Sequence, residues 1–560
     1  MTIRDLLIET EEHNSLFEQD IKKMDIPTCK VFLSGNDVAP VTFDNEGTEL
    51  FTKDTIKVNA EFKNTATASK NMVLKSSGTN AEPKTGLNVA VMFSGGPASG
   101  GHNVVVGLHR ILGDKNTLFG IKAGPKGLLK GNLFEITDES ICSVVNTGGF
   151  DYLGSDRTKI KTDEQFAKVK ATCKKFDLNA LVVIGGDDSN TNAAILAEYL
   201  FDSGVQVIGC PKTIDGDLQI GDLLPISFGF DTATKIYAEM VGNILQDTPS
   251  SRKYWHFIKL MGRSASHVAL EVALQTKPAV CLISEEVEAR EMSLSQIVDN
   301  IAKVVVDRSK NGMDYGVVLI PEGVIEFIPE MKSLIAELND KVAEFGDILA
   351  KKDKEEKRDF IYQQLSADNT KLMATLPDYI EDMLLAERDS HGNLQVSLIP
   401  TERLIIDMVN RRVKELDSDV PFKHHNHFFG YEGRCGAPTL FDAAYTYNLG
   451  LTAGSLILAG KTGYIAAISS FDKEAQVVGL PLPGLLNIER RHGHDEMVIE
   501  KALVKLDSPA FQFFESRRDD WASSDLFNSP GPRQLWGPSA NQMPMTVALN
   551  RNYSSLIFNY

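Results

Sequence analysis

Residues 181–184 (Leu-Val-Val-Ile) are a short, wholly apolar run closed by Gly185-Gly186-Asp187-Asp188-Ser189. A run of that length bounded by glycines predicts a buried parallel strand entering a sharp turn. Ala193, Ala194, Ala197 and Leu200 then recur at helical spacing, with Ser189 as the expected N-cap. A second strand, over 205–208, ends at Pro211-Lys212-Thr213-Ile214-Asp215-Gly216-Asp217. The same grammar recurs along the chain. Residues 89–93 predict a strand, 94–103 a glycine-rich loop and 104–112 a helix, and residues 231–245 predict another helix. Residues 254–260 alternate like a strand and meet Met261-Gly262-Arg263 and then a helix to 274. Strand candidates at 280–284 and 317–320 follow, the second ending in Pro321-Glu322-Gly323. A strand-like pair at 428–429 leads into Gly430-Tyr431-Glu432-Gly433-Arg434, a helix over 441–458 and a strand over 464–468. Strands alternating with helices predict a doubly wound α/β architecture.

The pattern changes in three places. Residues 1–86 are mixed and polar, with 76–84 expected to be an exposed linker. Residues 327–394 are charged and helical with few strand formers, which predicts a helical insertion with a solvated face. The last 90 residues carry no clear periodicity. The expected division is an N-terminal extension 1–86, a first α/β domain 87–250, a second α/β domain 251–326 continued at 401–470, a helical insertion 327–400, and a C-terminal region 471–560.

Composition adds limits. The chain has 560 residues, more than the roughly 250–300 that one core sustains, so more than one core is expected. Its net charge of −18 argues against nucleic acid or an anionic membrane as a partner. The six cysteines are scattered without a CxxC pair and are expected to be reduced thiols. Residues 1–30 lack a signal-peptide layout, and no apolar run is long enough to span a membrane. A cytosolic setting is expected.

In an open α/β sheet, ligands bind beyond the carboxyl ends of the strands. The turns after 184 and 211 would bring four aspartates, Lys212 and two hydroxyls to one crevice. The loop Ser94-Gly95-Gly96-Pro97-Ala98-Ser99-Gly100-Gly101 is suited to cradling phosphate, although it fits neither the dinucleotide fingerprint nor the Walker loop, and a tight structural turn is the alternative. The glycine-punctuated loop 146–157 carries Arg157. Two leads are set aside. GSLILAGKT at 454–462 has five residues before GKT where a Walker loop has four. Lys423-His424-His425-Asn426-His427 reads as a polar approach to the following strand rather than a metal site.

The motifs Gly185-Gly186-Asp187-Asp188-Ser189, Pro211 to Asp217, Met261-Gly262-Arg263, Pro321-Glu322-Gly323 and Tyr431-Glu432-Gly433-Arg434 occur in that order. Together they resemble the phosphofructokinases, specifically the long-chain, pyrophosphate-dependent branch. The resemblance spans roughly residues 89–470 and implies two Rossmann-like α/β domains with a helical insertion and terminal additions. It also implies reversible, Mg²⁺-dependent phosphoryl transfer between pyrophosphate and the 1-hydroxyl of fructose 6-phosphate, giving fructose 1,6-bisphosphate and phosphate.

By the same resemblance Asp215 would accept the hydroxyl proton, with Asp217 supporting it and Thr213 holding a substrate oxygen, and Asp187 would hold Mg²⁺. Gly96, Arg157, Asp188 and Lys212 would meet pyrophosphate. Thr213, Met261, Gly262, Arg263, Glu322, Tyr431 and Arg434 would line the sugar phosphate, Arg263 also serving catalysis. ATP-using relatives carry glycine where this chain has Asp188 and Lys212. A carboxylate there would repel the α-phosphate of ATP, while the lysine would attract pyrophosphate. The family also implies at least a homodimer, with a basic residue donated by a neighbouring subunit, for which Arg252 and Lys253 are the candidates; basic residues in 403–412 and Arg490-Arg491 are further contributors to consider. Two other readings stay open: an ATP-dependent 6-phosphofructokinase, and a catalytically silent regulatory subunit.

Overall fold

Alternate residues on five parallel strands pack two opposite layers of the first unit. The computed structural model describes residues 15–560 except 36, 80–81, 350, 386–397, 492–493 and 538. The chain divides into one unit of Met1–Ala233, Glu432–Ala502 and Arg533–Tyr560, and a second of Thr234–Tyr431 and Leu503–Pro532.

In the first unit the parallel strands run in the order Tyr464–Ser469, Gln206–Pro211, Ala180–Gly185, Asn88–Ser94, Thr117–Ile121. Ala90, Met92, Leu181, Val183, Val207 and Ile465 share a core with the helices Asp187–Leu200 and Asp163–Lys175. Val89, Val91, Val182, Ile184 and Ile208 are equally buried on the other face. Burial on both faces explains the unbroken apolar runs in the sequence. The strand Asn88–Ser94 lies between the next strand, Thr117–Ile121, on one side and Ala180–Gly185 on the other. The winding therefore reverses at its carboxyl end, and that is where such sheets open a crevice.

Antiparallel strands extend this sheet at both ends. Val41–Glu49 and Met72–Thr79 join it through Gln476–Pro481, and Leu133–Glu135 pairs with Thr117–Ile121. Residues 76–79, expected in an exposed linker, thus end a strand; residues 80–81 of that segment lie outside the described set.

Strand Tyr464–Ser469, expected in the second α/β domain, instead pairs in parallel with Gln206–Pro211. The Gln206 side-chain amide donates to the carbonyls of Ile457 and Lys461, holding the connection in place. The preceding helix, Leu440–Leu458, crosses the helix Gly101–Leu112 at glycine-to-glycine distance. A Cβ on Gly107 would lie 2.1 Å from the Tyr447 carbonyl oxygen, and one on Gly450 would lie 2.2 Å from the Val104 carbonyl oxygen. Gly107→Ala is therefore expected to cost about 1–3 kcal/mol through overpacking. Thermal unfolding checks this, and an unchanged midpoint would mean that the two helices part freely.

The second unit carries a four-stranded parallel sheet in the order Val280–Cys281, Gly316–Pro321, Trp255–Leu260, His424–Phe429. Here too the first strand in the chain is internal, so its carboxyl end sits where the winding reverses. Trp255, Phe257, Val318 and Ile320 share a core with apolar residues of the helices Leu294–Lys310 and Thr401–Leu416, and with Met331, Leu334 and Leu338 of Pro329–Glu344.

Residues 424–427 of the polar run are not an approach to a strand but the first four residues of the strand His424–Phe429 itself. It tolerates polar side chains because it is the sheet's edge, where one row of backbone groups is unpaired. His425 and His427 share a face with His256 of the neighbouring strand, and His256 Nδ1 lies 2.9 Å from His427 Nε2. Burial and the two neighbouring imidazoles push the His256 pKa down to about 4. GSLILAGKT begins inside helix Leu440–Leu458, with its first residues buried. No helix among the described residues is long and apolar enough to cross a membrane.

Candidate active site

Two loops of the first unit are locked together by their backbones. Pro211 registers against Gly185 in the parallel ladder, and Lys212 N–H donates to the Gly185 carbonyl at 2.9 Å. Asn190, buried beneath the turn, donates to the carbonyls of Gly185 and Gly186 at 2.7 and 2.9 Å. It fits because Gly209 has no side chain, since a Cβ there would meet Asn190 Oδ1 at 2.1 Å. The helix begins at Asp187 with Gly186 as its N-cap. Ser189, the expected cap, is instead inside the first turn, and its hydroxyl donates to Ser94 Oγ at 2.8 Å, tying in the glycine loop.

That loop turns at Gly95, whose φ of +85° is a left-handed conformation open to glycine. Its space is shared with Lys212, whose Nζ lies 4.0 Å from the position a Cβ on Gly95 would take. The corresponding position on Gly96 is 3.1 Å from an Arg434 Nη2 and 3.6 Å from an Arg157 Nη2. Arg157 is presented by a turn built on Asp156, whose carboxylate accepts from Thr158 N–H at 3.0 Å and from Lys126 N–H at 3.1 Å. Arg434, expected with the sugar-phosphate residues, is therefore grouped with Gly96 and Arg157. The segment after it is held to the first unit by Ser99, whose hydroxyl donates to the Gly436 carbonyl at 2.8 Å.

Asp215, Asp187 and Asp217 lie close enough to Lys212 to act on its charge. Lys212 is only 7% exposed, and burial pulls its pKa down to about 8 against the attraction of Asp215, Asp187 and Asp217. Burial pushes the Asp187 carboxyl up, opposed by Lys501 and reinforced by Asp188 and Asp217. In the following turn Asp215 N–H donates to Thr213 Oγ1 at 3.1 Å, which leaves the hydroxyl proton of Thr213 free to point elsewhere. Asp188 is half exposed and pairs with Lys159 at 2.9 Å, so part of its negative charge is already met.

In the second unit the remaining predicted residues follow strand ends. Gly262 (φ +137°) donates its N–H to the buried carboxylate of Glu322 at 3.1 Å. A Cβ on Gly323 would meet the Arg263 carbonyl at 1.9 Å, so the two loops touch through backbone. Met261 N–H donates to the Phe429 carbonyl at 3.0 Å, while the Arg263 side chain is exposed and Tyr431 is 71% exposed. Of the extra basic candidates, Arg252 donates to the Gly312 carbonyl at 3.0 Å and Arg412 is held by Asp299 and Glu415. The side chains of Arg490 and Arg491 lie outside the described set.

Sequence reasoning missed two groups. Lys501, beyond every motif, lies 3.6 Å from Asp217 Oδ2 and 4.0 Å from Asp187 Oδ2. Asp442 is fully buried and accepts from Gly229 N–H, Thr232 N–H and the Thr232 hydroxyl, fixing the start of the helix Phe230–Ser251. Burial and the adjacent Asp231 hold its carboxyl well above the usual range. Neither carries a local signal, because each is defined by partners hundreds of residues away.

Oxygen ligands, partial burial and neighbouring negative charge make Asp187 suited to a hard divalent cation. Among the described residues no cluster of three or more His, Cys, Asp or Glu side chains forms a metal cage. That donor set fits Mg²⁺, which is commonly held by one or two carboxylates together with substrate phosphates and water.

Residues 88–457 match the family profile described as Phosphofructokinase. The pyrophosphate–fructose 6-phosphate 1-phosphotransferase of Porphyromonas gingivalis is 48% identical over 479 residues, covering 83% of this chain and 87% of that protein. The protein of the same name from Treponema pallidum is 49% identical over 488 residues, covering 84% and 85%. The crystal structure of a pyrophosphate-dependent phosphofructokinase from Nitrosospira multiformis has a TM-score of 0.52 at 18% identity, covering 82% of this chain and 96% of that one, a likeness of fold. With strand ends, loops and family profile all falling on the same residues, the chain belongs to the phosphofructokinase family.

Proposed function

We propose that the chain transfers a phosphoryl group reversibly between pyrophosphate and the 1-hydroxyl of fructose 6-phosphate. The observation that carries this reading is Lys212, a buried ammonium beside Gly95 and among the aspartates of the paired turns. A compact, highly charged donor suits such a point charge, and relatives 48–49% identical bear the matching name.

In the forward direction the sugar 1-hydroxyl oxygen bonds to the terminal phosphorus of pyrophosphate. The bond to the bridging oxygen breaks, and phosphate leaves with the bridging electrons. Asp215 takes the hydroxyl proton and returns it in the reverse direction, with Asp217 maintaining the local negative field. Lys212, Arg434 and Arg157 offset charge on the group in flight, as phosphoryl transfer depends mainly on positioning and charge stabilisation. Thr213 donates to a substrate oxygen. Mg²⁺ held at Asp187 would supply neutralisation of the donor oxygens. Met261, Gly262, Arg263, Glu322 and Tyr431 serve the sugar phosphate. The reading brings with it a cytosolic homo-oligomer of at least two subunits, which sedimentation tests.

The direct test supplies pyrophosphate or ATP in a coupled assay of fructose 1,6-bisphosphate. Turnover with pyrophosphate is expected, and robust turnover with ATP alone would overturn the reading.

A pH test follows from Lys212. Burial disfavours its charged form, so the ammonium is lost as pH rises through about 8, rather than near the roughly 10.4 of an exposed lysine. The value of kcat/KM for pyrophosphate, which reports the free enzyme and free substrate, should fall above that pH. Lys212→Arg, which keeps its charge, should move this limb upward. A limb that stays in place in Lys212→Arg belongs to pyrophosphate itself and removes the lysine from the donor site.

A further inference from the structure

Lys501 lies outside residues 88–457, the stretch matching the family profile, yet its ammonium faces two carboxylates of the paired turns, Asp187 and Asp217. Its position is fixed from both sides. It follows the hairpin of Leu486–Arg491 and His494–Ile499. Ile499 N–H donates to Thr191 Oγ1 at 3.2 Å, on the helix that starts at Asp187. Ala502 N–H donates to the Asp217 carbonyl at 2.7 Å, on the other loop. The lysine is thus strapped between the elements whose carboxylates it faces. Those carboxylates are 19% and 7% exposed at Asp187 and Asp217, so their mutual repulsion is poorly screened by water.

We propose that Lys501 is a positioning residue that balances the Asp187–Asp217 pair until the donor arrives and thereby makes metal binding depend on pyrophosphate. This rests on the reading that Asp187 holds the divalent ion. A bare divalent cation approaching Asp187 meets the ammonium as a like charge. A cation that arrives with pyrophosphate brings anionic oxygens to which the ammonium can turn, so the complex is accepted where the free ion is not. Lys501 then selects the metal-bound donor over either component alone.

The test uses Mn²⁺ as the probe, its binding to the full chain followed by electron paramagnetic resonance, with and without the non-hydrolysable analogue methylenediphosphonate. Wild type should bind Mn²⁺ weakly alone and at least 10-fold more tightly with the analogue. Lys501→Met should bind Mn²⁺ alone about 3–10-fold more tightly, raise the KM for magnesium pyrophosphate, and leave the KM for fructose 6-phosphate unchanged. Lys501→Arg should restore the wild-type pattern, which a merely structural role would not require. Unchanged or weaker Mn²⁺ binding in Lys501→Met, with its thermal midpoint intact, overturns the proposal. Asp187→Asn separates the two claims. If it leaves Mn²⁺ binding unaltered, the metal assignment fails and the proposal falls with it. If it abolishes binding while Lys501→Met has no effect, the role of Lys501 alone is rejected.

Discussion

Asp215→Ser is expected to lower turnover by about 10²–10⁴-fold, the range typical of losing a general base. The KM for fructose 6-phosphate should stay within a few-fold of wild type. The split follows from where the residue acts. A proton acceptor for the 1-hydroxyl matters chiefly as that hydroxyl attacks, so its loss is felt in kcat rather than in ground-state binding. In the proposed reading the sugar phosphate is held by Met261, Gly262, Arg263 and Glu322, whose loops are built on the contacts of Gly262 and Gly323. Serine retains a small polar group and removes the charge. The Asp215 N–H to Thr213 Oγ1 bond uses only backbone at position 215, so the turn should survive the change. Steady-state kinetics in both directions check it, because the group that accepts the proton forward must return it in reverse. A rate within tenfold of wild type in either direction would remove Asp215 from its role.

The paired turns were legible because strand, glycine turn and helix are local patterns. The run at 181–184, the glycines at 185–186 and the motif 211–217 predict a crevice, and the ladder between Pro211 and Gly185 closes it. What the sequence hid is nonlocal. Ser189 is a good cap by residue type, but its hydroxyl is claimed by Ser94, 95 residues earlier, and the helix starts three residues sooner, capped at Gly186. Strand Tyr464–Ser469 reads correctly as a strand, while its sheet is decided by pairing with Gln206–Pro211, which no periodicity encodes. The histidine-rich segment reads as polar because it is an edge, and edge status belongs to the assembled sheet. Lys501 has no motif at all. Its meaning comes from two N–H donors of its neighbours, Ile499 to the Thr191 hydroxyl and Ala502 to the Asp217 carbonyl, which strap it between those elements.

Replacing Asp188 and Lys212 together by glycine is expected to lower kcat/KM for pyrophosphate by on the order of 10²-fold or more, since truncating one partner of a buried charge pair costs about 2–5 kcal/mol. Measurable turnover with ATP should appear at the same time. The two positions contribute differently. Lys212 is buried and close to the glycine loop, so its loss removes attraction for a compact donor and leaves Asp187, Asp215 and Asp217 less neutralised. Asp188 is half exposed and already paired with Lys159 at 2.9 Å. In the proposed reading it would exclude ATP through the space the carboxylate and its partner fill as well as through residual repulsion. Removing the carboxylate frees the Lys159 ammonium to meet an α-phosphate, so Asp188→Gly alone should already admit ATP, whereas Lys212→Gly alone should only weaken pyrophosphate use. Lys212→Met, which keeps most of the side-chain volume, separates lost charge from a collapsed cavity, and thermal midpoints of all variants identify any that fail to fold. Donor preference unchanged in the double variant, with folding intact, would place selectivity outside these two turns.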